Sequence, residues 1–193
     1  MKWKRILDNL SDRFSNKIDD SIIEYVNRYI SDDMNDLEKA ITVYLCLGDI
    51  LSYSAEFSLF YNYNKVSPVK EISLDNSEII CKNWSILYNK LLQRYNVNSR
   101  LYRSRAHYRV EIIVDNVIYS ADATGYGGSG LYYSMSDIAR IKYGFKIHKF
   151  VVSSTVDPND TKLFSESFNN LKNTINEVYR KQGRKCYSDG KVD

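Results

Sequence analysis

Residues 81–124 read CKNWSILYNKLLQRYNVNSRLYRSRAHYRVEIIVDNVIYSADAT. Apolar residues recur at helical spacing from Ile79 to Leu92, after which the pattern changes to alternating or β-branched stretches over Leu101–Ala106, His107–Val114 and Val117–Ala121. Asp115-Asn116 supplies a turn between the last two. A helix followed by adjacent antiparallel strands predicts an α+β fold in which the helix packs on the sheet.

The same stretch carries chemistry. Cys81 falls in the first turn of its helix, after the Asp75-Asn76-Ser77 punctuation, where the positive end of the helix dipole favours thiolate over thiol. His107 sits in an alternating strand and Asp122 ends the next one, so antiparallel pairing brings them together despite their separation in sequence. A thiol nucleophile needs a base and the base needs an orienter, and Cys81, His107 and Asp122 supply those types in order. Taken singly, Cys81 reads as a small buried residue, His107 as a structural histidine and Asp122 as a turn initiator. Their combination on these elements makes them the expected catalytic residues.

Working outward, Ile22, Ile23, Val26, Tyr29 and Ile30 follow an Asp19-Asp20-Ser21 cap cluster and predict a helix. A second helix is expected from Asp36 to about Tyr53, with Leu37, Ala40, Ile41, Tyr44, Leu45, Leu47 and Leu51 as its apolar stripe. Residues 54–77 lose periodicity and contain Pro68, which makes them a connection expected to approach the site. Residues 145–153 predict a further strand, and Leu163, Phe164, Phe168, Leu171, Ile175 and Val178 a closing amphipathic helix before a polar tail. The expected organisation is a helical extension over 1–35, a catalytic core over 36–155 and a C-terminal helix and tail over 156–193.

Composition sets the outer bounds. A chain of 193 residues, 44% hydrophobic and 26% charged, can bury a core. A net charge of +3 is too mild to imply nucleic acid, and no run approaches the roughly 20 apolar residues of a membrane span, so neither partner is expected. Three widely spaced cysteines suggest no disulfide framework, in keeping with a reducing compartment or a lone catalytic thiol. The charged N-terminus is unlike a general secretory signal, which points to the cytoplasm or to export by a specialised route. No Cys or His pair has metal-ligand spacing, so neither a metal nor a cofactor is expected. Tyrosine and asparagine abundance reads as compositional background.

With these residues in view, the chain resembles the transglutaminase-like branch of the papain-like thiol enzymes. The resemblance rests on Cys81 opening a helix with the Leu87/Leu91/Leu92 run, on His107-Tyr108-Arg109-Val110-Glu111, and on Asp122-Ala123-Thr124 after a hairpin. The upstream LEKAITVYLCLGDILSYSAEF extends it to roughly residues 36–150. It differs from the family at Arg109, where an aromatic is common, at Ala123, where Pro is frequent, and at Lys82-Asn83-Trp84, where animal transglutaminases have Trp directly after Cys. The resemblance implies a protein or peptide amide as substrate and a thioester intermediate. Peptide hydrolysis is expected first, with glutamine deamidation or transamidation as alternatives, and Tyr53 as a second oxyanion donor.

Two other readings remain: a catalytically inactive interaction module, or a partner-binding platform on the N-terminal helices. Cys46 lies in an apolar stripe, Cys186 in the polar tail and His148 on a surface strand, and none is expected to act. The glycines of GYGGSG lack the context of a phosphate cradle. On a regular strand Arg103, Arg105 and Arg109 would share a face with His107 and line the cleft; the alternatives are a solvated sheet surface or a bulge that breaks the parity.

Overall fold

A computed structural model describes residues 18–53, 78–79, 81–103, 108–122, 141–143, 148–155 and 161–184. Helix α1 (Asp20–Asn27) begins where Asp19 Oδ1 accepts the Ser21 N–H at 2.9 Å, the cap that the acidic cluster predicts. In α2 (Asp36–Ile50), Asn35 accepts from the Glu38 N–H while Glu38 accepts from the Asn35 N–H, each at 2.9 Å, closing a capping box. The helix stops at Ile50, earlier than its apolar stripe suggests. Leu51 turns extended, and Tyr53 belongs to the short strand β1 (Ser52–Tyr53), which pairs in parallel with β2 (Glu78–Ile79).

Helix α3 (Cys81–Arg94) follows directly, with Cys81 as its first residue. It ends in a left-handed Asn96 (φ 60°), around which Val97 N–H donates to Leu92 O at 2.9 Å and Asn96 N–H to Gln93 O at 3.1 Å. That paired closure satisfies carbonyls the helix would otherwise orphan, and Leu92 and Val97 are both buried beneath it. The chain then enters β3 (Ser99–Arg103), β4 (Tyr108–Val114) and β5 (Val117–Asp122). At the β4–β5 turn Asp115 and Asn116 both hold positive φ, 48° and 62°, the pair of left-handed residues a tight hairpin matching the strand twist requires.

Strands β6 (Ile141–Tyr143) and β7 (His148–Thr155) complete an antiparallel sheet of order β3-β4-β5-β7-β6 among the described residues. Helix α4 (Thr161–Lys181) packs on β7 and α2, while α3 packs on β3 and β4. The fold is therefore α+β, with helices on an antiparallel sheet and flanking helices at both ends. Lys181 of α4 meets Glu38 of the capping box at 2.8 Å, fastening the last helix to the start of α2.

The core occupies one face of the sheet. Leu101, Val110, Ile112, Val117, Tyr119 and Ala121 meet Ile41, Tyr44, Leu87, Leu91, Leu171 and Ile175 from the helices. The opposite face carries Arg100, Tyr102, Arg109 and Glu111; buried Glu111 accepts from Arg100 at 2.8 Å and Arg109 at 2.9 Å, while Arg109 stacks 4.0 Å from the Tyr102 ring centroid. No helix of the described residues is long and apolar enough to cross a membrane.

This topology corrects one expectation. Residues 101–114 are not one strand with a single parity, because β3 and β4 are antiparallel neighbours in which Arg103 pairs with Tyr108. Arg103 consequently lies on the helix side of the sheet and Arg109, paired with Tyr102, on the other. Arg103 and Arg109 therefore do not share a face, and the parity breaks between them. Arg105 and His107 lie outside the described residues.

Candidate active site

Three elements converge where α3 begins. Parallel pairing of Tyr53 with Ile79 holds the backbone of β1 beside the chain entering the helix, two residues before Cys81. The helix then sets Cys81 against the ends of β3 and β4. Cys81 is 5% exposed, and the side chain the sheet turns towards it is that of Tyr108.

The electrostatics of this corner come from neighbours on all three elements. Burial raises the Tyr108 phenol above its ordinary range and the Cys81 thiol raises it further, while Arg103 opposes both. The Arg103 guanidinium sits 5.6 Å from the Tyr108 ring centroid. Burial lowers the Lys82 ammonium, Arg103 lowers it further by like-charge repulsion, and Cys81 pulls it back up. The thiol itself stands at a helix N-terminus, a position that favours thiolate.

Asp122 reaches the same end of the molecule by a different route. It is 3% exposed, pairs with Lys149 of β7, and its backbone carbonyl accepts the Tyr44 hydroxyl at 3.1 Å. Tyr44 in turn meets Trp84, one turn beyond Cys81, edge to face at 5.4 Å, and Trp84 stacks on Tyr88 at 4.6 Å. The Tyr88 hydroxyl donates to Ala40 O at 2.8 Å. This buried aromatic cluster joins α2, the first turns of α3 and the end of β5.

Comparison with family models, with curated proteins and with solved structures finds no match. The site is therefore read from its own geometry.

Of the sequence-predicted residues, Cys81 and Asp122 stand at one end of the sheet, and His107 lies outside the described residues. Tyr53 contributes its backbone to β1 as described, and His148 opens β7, where it pairs with Tyr143. Cys46 is fully buried in α2, and burial pushes its thiol up to about 12, against Arg184, which lowers it. Cys186 lies outside the described residues. Sequence reasoning missed Tyr44, Lys82 and Tyr108. In a chain with 17 tyrosines no spacing singles out two of them, and only the strand pairing shows which one faces Cys81.

Proposed function

We propose that the protein is a cysteine-dependent acyl-transfer enzyme with a papain/transglutaminase-like core, acting on protein or peptide amides. One observation carries the reading: a thiol at the first residue of a sheet-packed helix, with the backbone carbonyl of Asp122 joined through Tyr44 to Trp84 of the same helix. His107 supplies the base. Its assignment rests on the sequence order of reactive types, Cys81 then His107 then Asp122.

The chemistry follows from the groups. His107 takes the Cys81 proton, and Asp122 holds the imidazole in the required tautomer. The thiolate attacks the amide carbon, and the oxyanion is met by the Cys81 backbone N–H at the helix start and a donor from Tyr53. Collapse expels the amine, which leaves with the proton from His107, and a thioester remains. Water, deprotonated by His107, releases the acid and restores the thiol. Where a glutamine side chain is attacked, ammonia leaves and the product is glutamate; where an amine replaces water, the product is a new amide. Peptide hydrolysis is the first reading because water is the commonest acceptor.

Incubating wild type and Cys81→Ala with a cell lysate and comparing the products by mass spectrometry tests the reading. New peptide termini indicate hydrolysis, a gain of about one mass unit at glutamine indicates deamidation, and isopeptide links indicate transamidation. Identical lysates refute all three. The burial of Cys81 favours one competing reading, an inactive module that keeps the fold for protein contacts, and identical lysates would install it.

A further inference from the structure

Strand β3 is an edge of the sheet, with β4 as its one strand neighbour among the described residues. Antiparallel neighbours alternate between residue pairs that exchange backbone hydrogen bonds and pairs that do not. The Ile113 N–H donates to Asn98 O at 2.9 Å, and these two residues continue the β3–β4 register, so the bonded pairs after them are Arg100 with Glu111 and Tyr102 with Arg109. The Asp115-Asn116 hairpin gives the same phase from the far side of β4: a two-residue turn closes on a bonded pair, here Val114 with Val117, which leaves Ile113, Glu111 and Arg109 to bond towards β3. The N–H and C=O groups of Ser99, Leu101 and Arg103 therefore point away from β4, along the edge. The side chains there are open as well. Arg100 has 58% of its side chain exposed, Arg103 is exposed, and Tyr102 is the one exposed large apolar residue among those described. Such an edge is a template for another strand.

We propose that the strand is β3 of a second copy of this chain, paired antiparallel about a two-fold axis at Leu101. The stretch Ser99-Arg100-Leu101-Tyr102-Arg103 complements itself in that register. Leu101 faces Leu101, Ser99 faces Arg103 and Arg100 faces Tyr102, so the outward backbone groups of both copies are paired and no arginine stands opposite an arginine. On the face away from the helices, Arg109 already lies over the Tyr102 ring at 4.0 Å and Glu111 already holds Arg100 at 2.8 Å. Pairing sets Arg100 of one copy beside the Tyr102 ring of the other, which extends both contacts into one row across the joined sheet. Sliding the register by two residues in one direction puts Arg100 opposite Arg100, and in the other it parts Arg100 from Tyr102, so one alignment is preferred. The axis is perpendicular to the sheet, and the helix layers of both copies lie on the same side of it. This pairing does not depend on the chemistry at Cys81.

Sedimentation equilibrium of the intact chain, loaded from about 50 μM to about 1 mM, spans the range in which a small interface assembles. The mass is expected to rise from that of one 22.5 kDa chain towards twice that value. Amide hydrogen exchange followed by NMR at the same loadings reads the register. With a dissociation constant of about 100 μM the free fraction falls about threefold across the series, and exchange at Ser99, Leu101 and Arg103 should slow by the same factor. The Arg100 and Tyr102 amides, bonded to β4 in either state, should change little. Arg103→Pro removes an outward N–H and none that β4 uses, so the chain should keep its circular dichroism and remain monomeric. A monomer at every loading overturns the proposal and leaves the edge to a strand of another protein or to water. A dimer whose Leu101 exchange is indifferent to loading, or one that folded Arg103→Pro retains, overturns it too, because the copies then meet elsewhere. If Arg103→Pro does not fold, the exchange pattern of the wild type decides alone.

Discussion

Cys81 and Cys46 offer a comparison of two thiols inside one fold. Cys46 has no exposed surface, and burial pushes it up to about 12. At pH 6 a thiol with that value is ionised to about one part in a million. Even an ordinary thiol, near 8.5, carries thiolate in about three molecules in a thousand at pH 6. A thiol with no more than that ordinary ionisation exceeds Cys46 in thiolate by about three orders of magnitude; the helix N-terminus at Cys81 adds to the difference and its burial acts in the opposite direction. Iodoacetamide at pH 6, quenched at intervals and followed by peptide mass spectrometry, should label Cys81 within the folded protein and Cys46 only after denaturation. His107→Ala should move the pH midpoint of Cys81 labelling upward, because the imidazolium that stabilises the thiolate is gone. If Cys81 instead labels no faster than a small free thiol, with a rate that rises only through the ordinary range near 8.5, burial has outweighed the helix N-terminus and the nucleophile assignment fails.

Tyr44→Phe removes the hydroxyl that reaches the Asp122 carbonyl but keeps the ring, and should cost about 1 kcal/mol in urea unfolding, whereas Tyr44→Ala also empties the space beside Trp84 and should cost about 3–5 kcal/mol. Equal losses would mean the ring contacts contribute little. Alkaline stability should fall early: burial raises Cys46 and Tyr179 to about 12, and raises Tyr88 and Tyr119 above their ordinary value. The unfolded chain releases these protons near pH 9 to 10 and the folded one holds them, so this stabilisation is complete below pH 9 and is lost at about 1.4 kcal/mol per pH unit per group as pH rises towards 12. Urea midpoints from pH 8 upward, with tyrosinate absorbance, check this; tyrosinate formation well ahead of unfolding would contradict the burial assigned to these hydroxyls.

The helices were legible because their apolar periodicity is long: Ile22 and Val26, Leu37 to Leu47, Leu87 to Leu92 and Leu171 to Val178 each form a stripe that the core absorbs. The Asp115-Asn116 hairpin was legible through two residues that tolerate positive φ. Strands β1 and β2 were not, since two residues carry no period, and the apolar stripe of α2 runs on into Leu51. Residues 104–107 contain no Gly, Pro, Asn or Asp, so nothing in SRAH marks the end of β3, and the faces of Arg103 and Arg109 were read as one. Within the site, Cys81 and Asp122 were found through the order of reactive types. Tyr44, Lys82 and Tyr108 stand around the Asp122 backbone and the start of α3, and such surroundings come from pairing between distant segments.

The short β1–β2 ladder has a consequence for how the protein can vary. By pairing Tyr53 with Ile79 it pins both ends of the intervening segment 54–77 to the entrance of α3. Added chain between two paired residues is inexpensive, each doubling of a flexible length costing only about 0.6 kcal/mol in closure entropy. A flexible insertion between Tyr53 and Glu78 therefore leaves the anchor in place and Cys81 at the first residue of its helix. A new recognition element could be spliced in here without redesigning the chemistry, so specificity and reactivity can diversify on separate schedules.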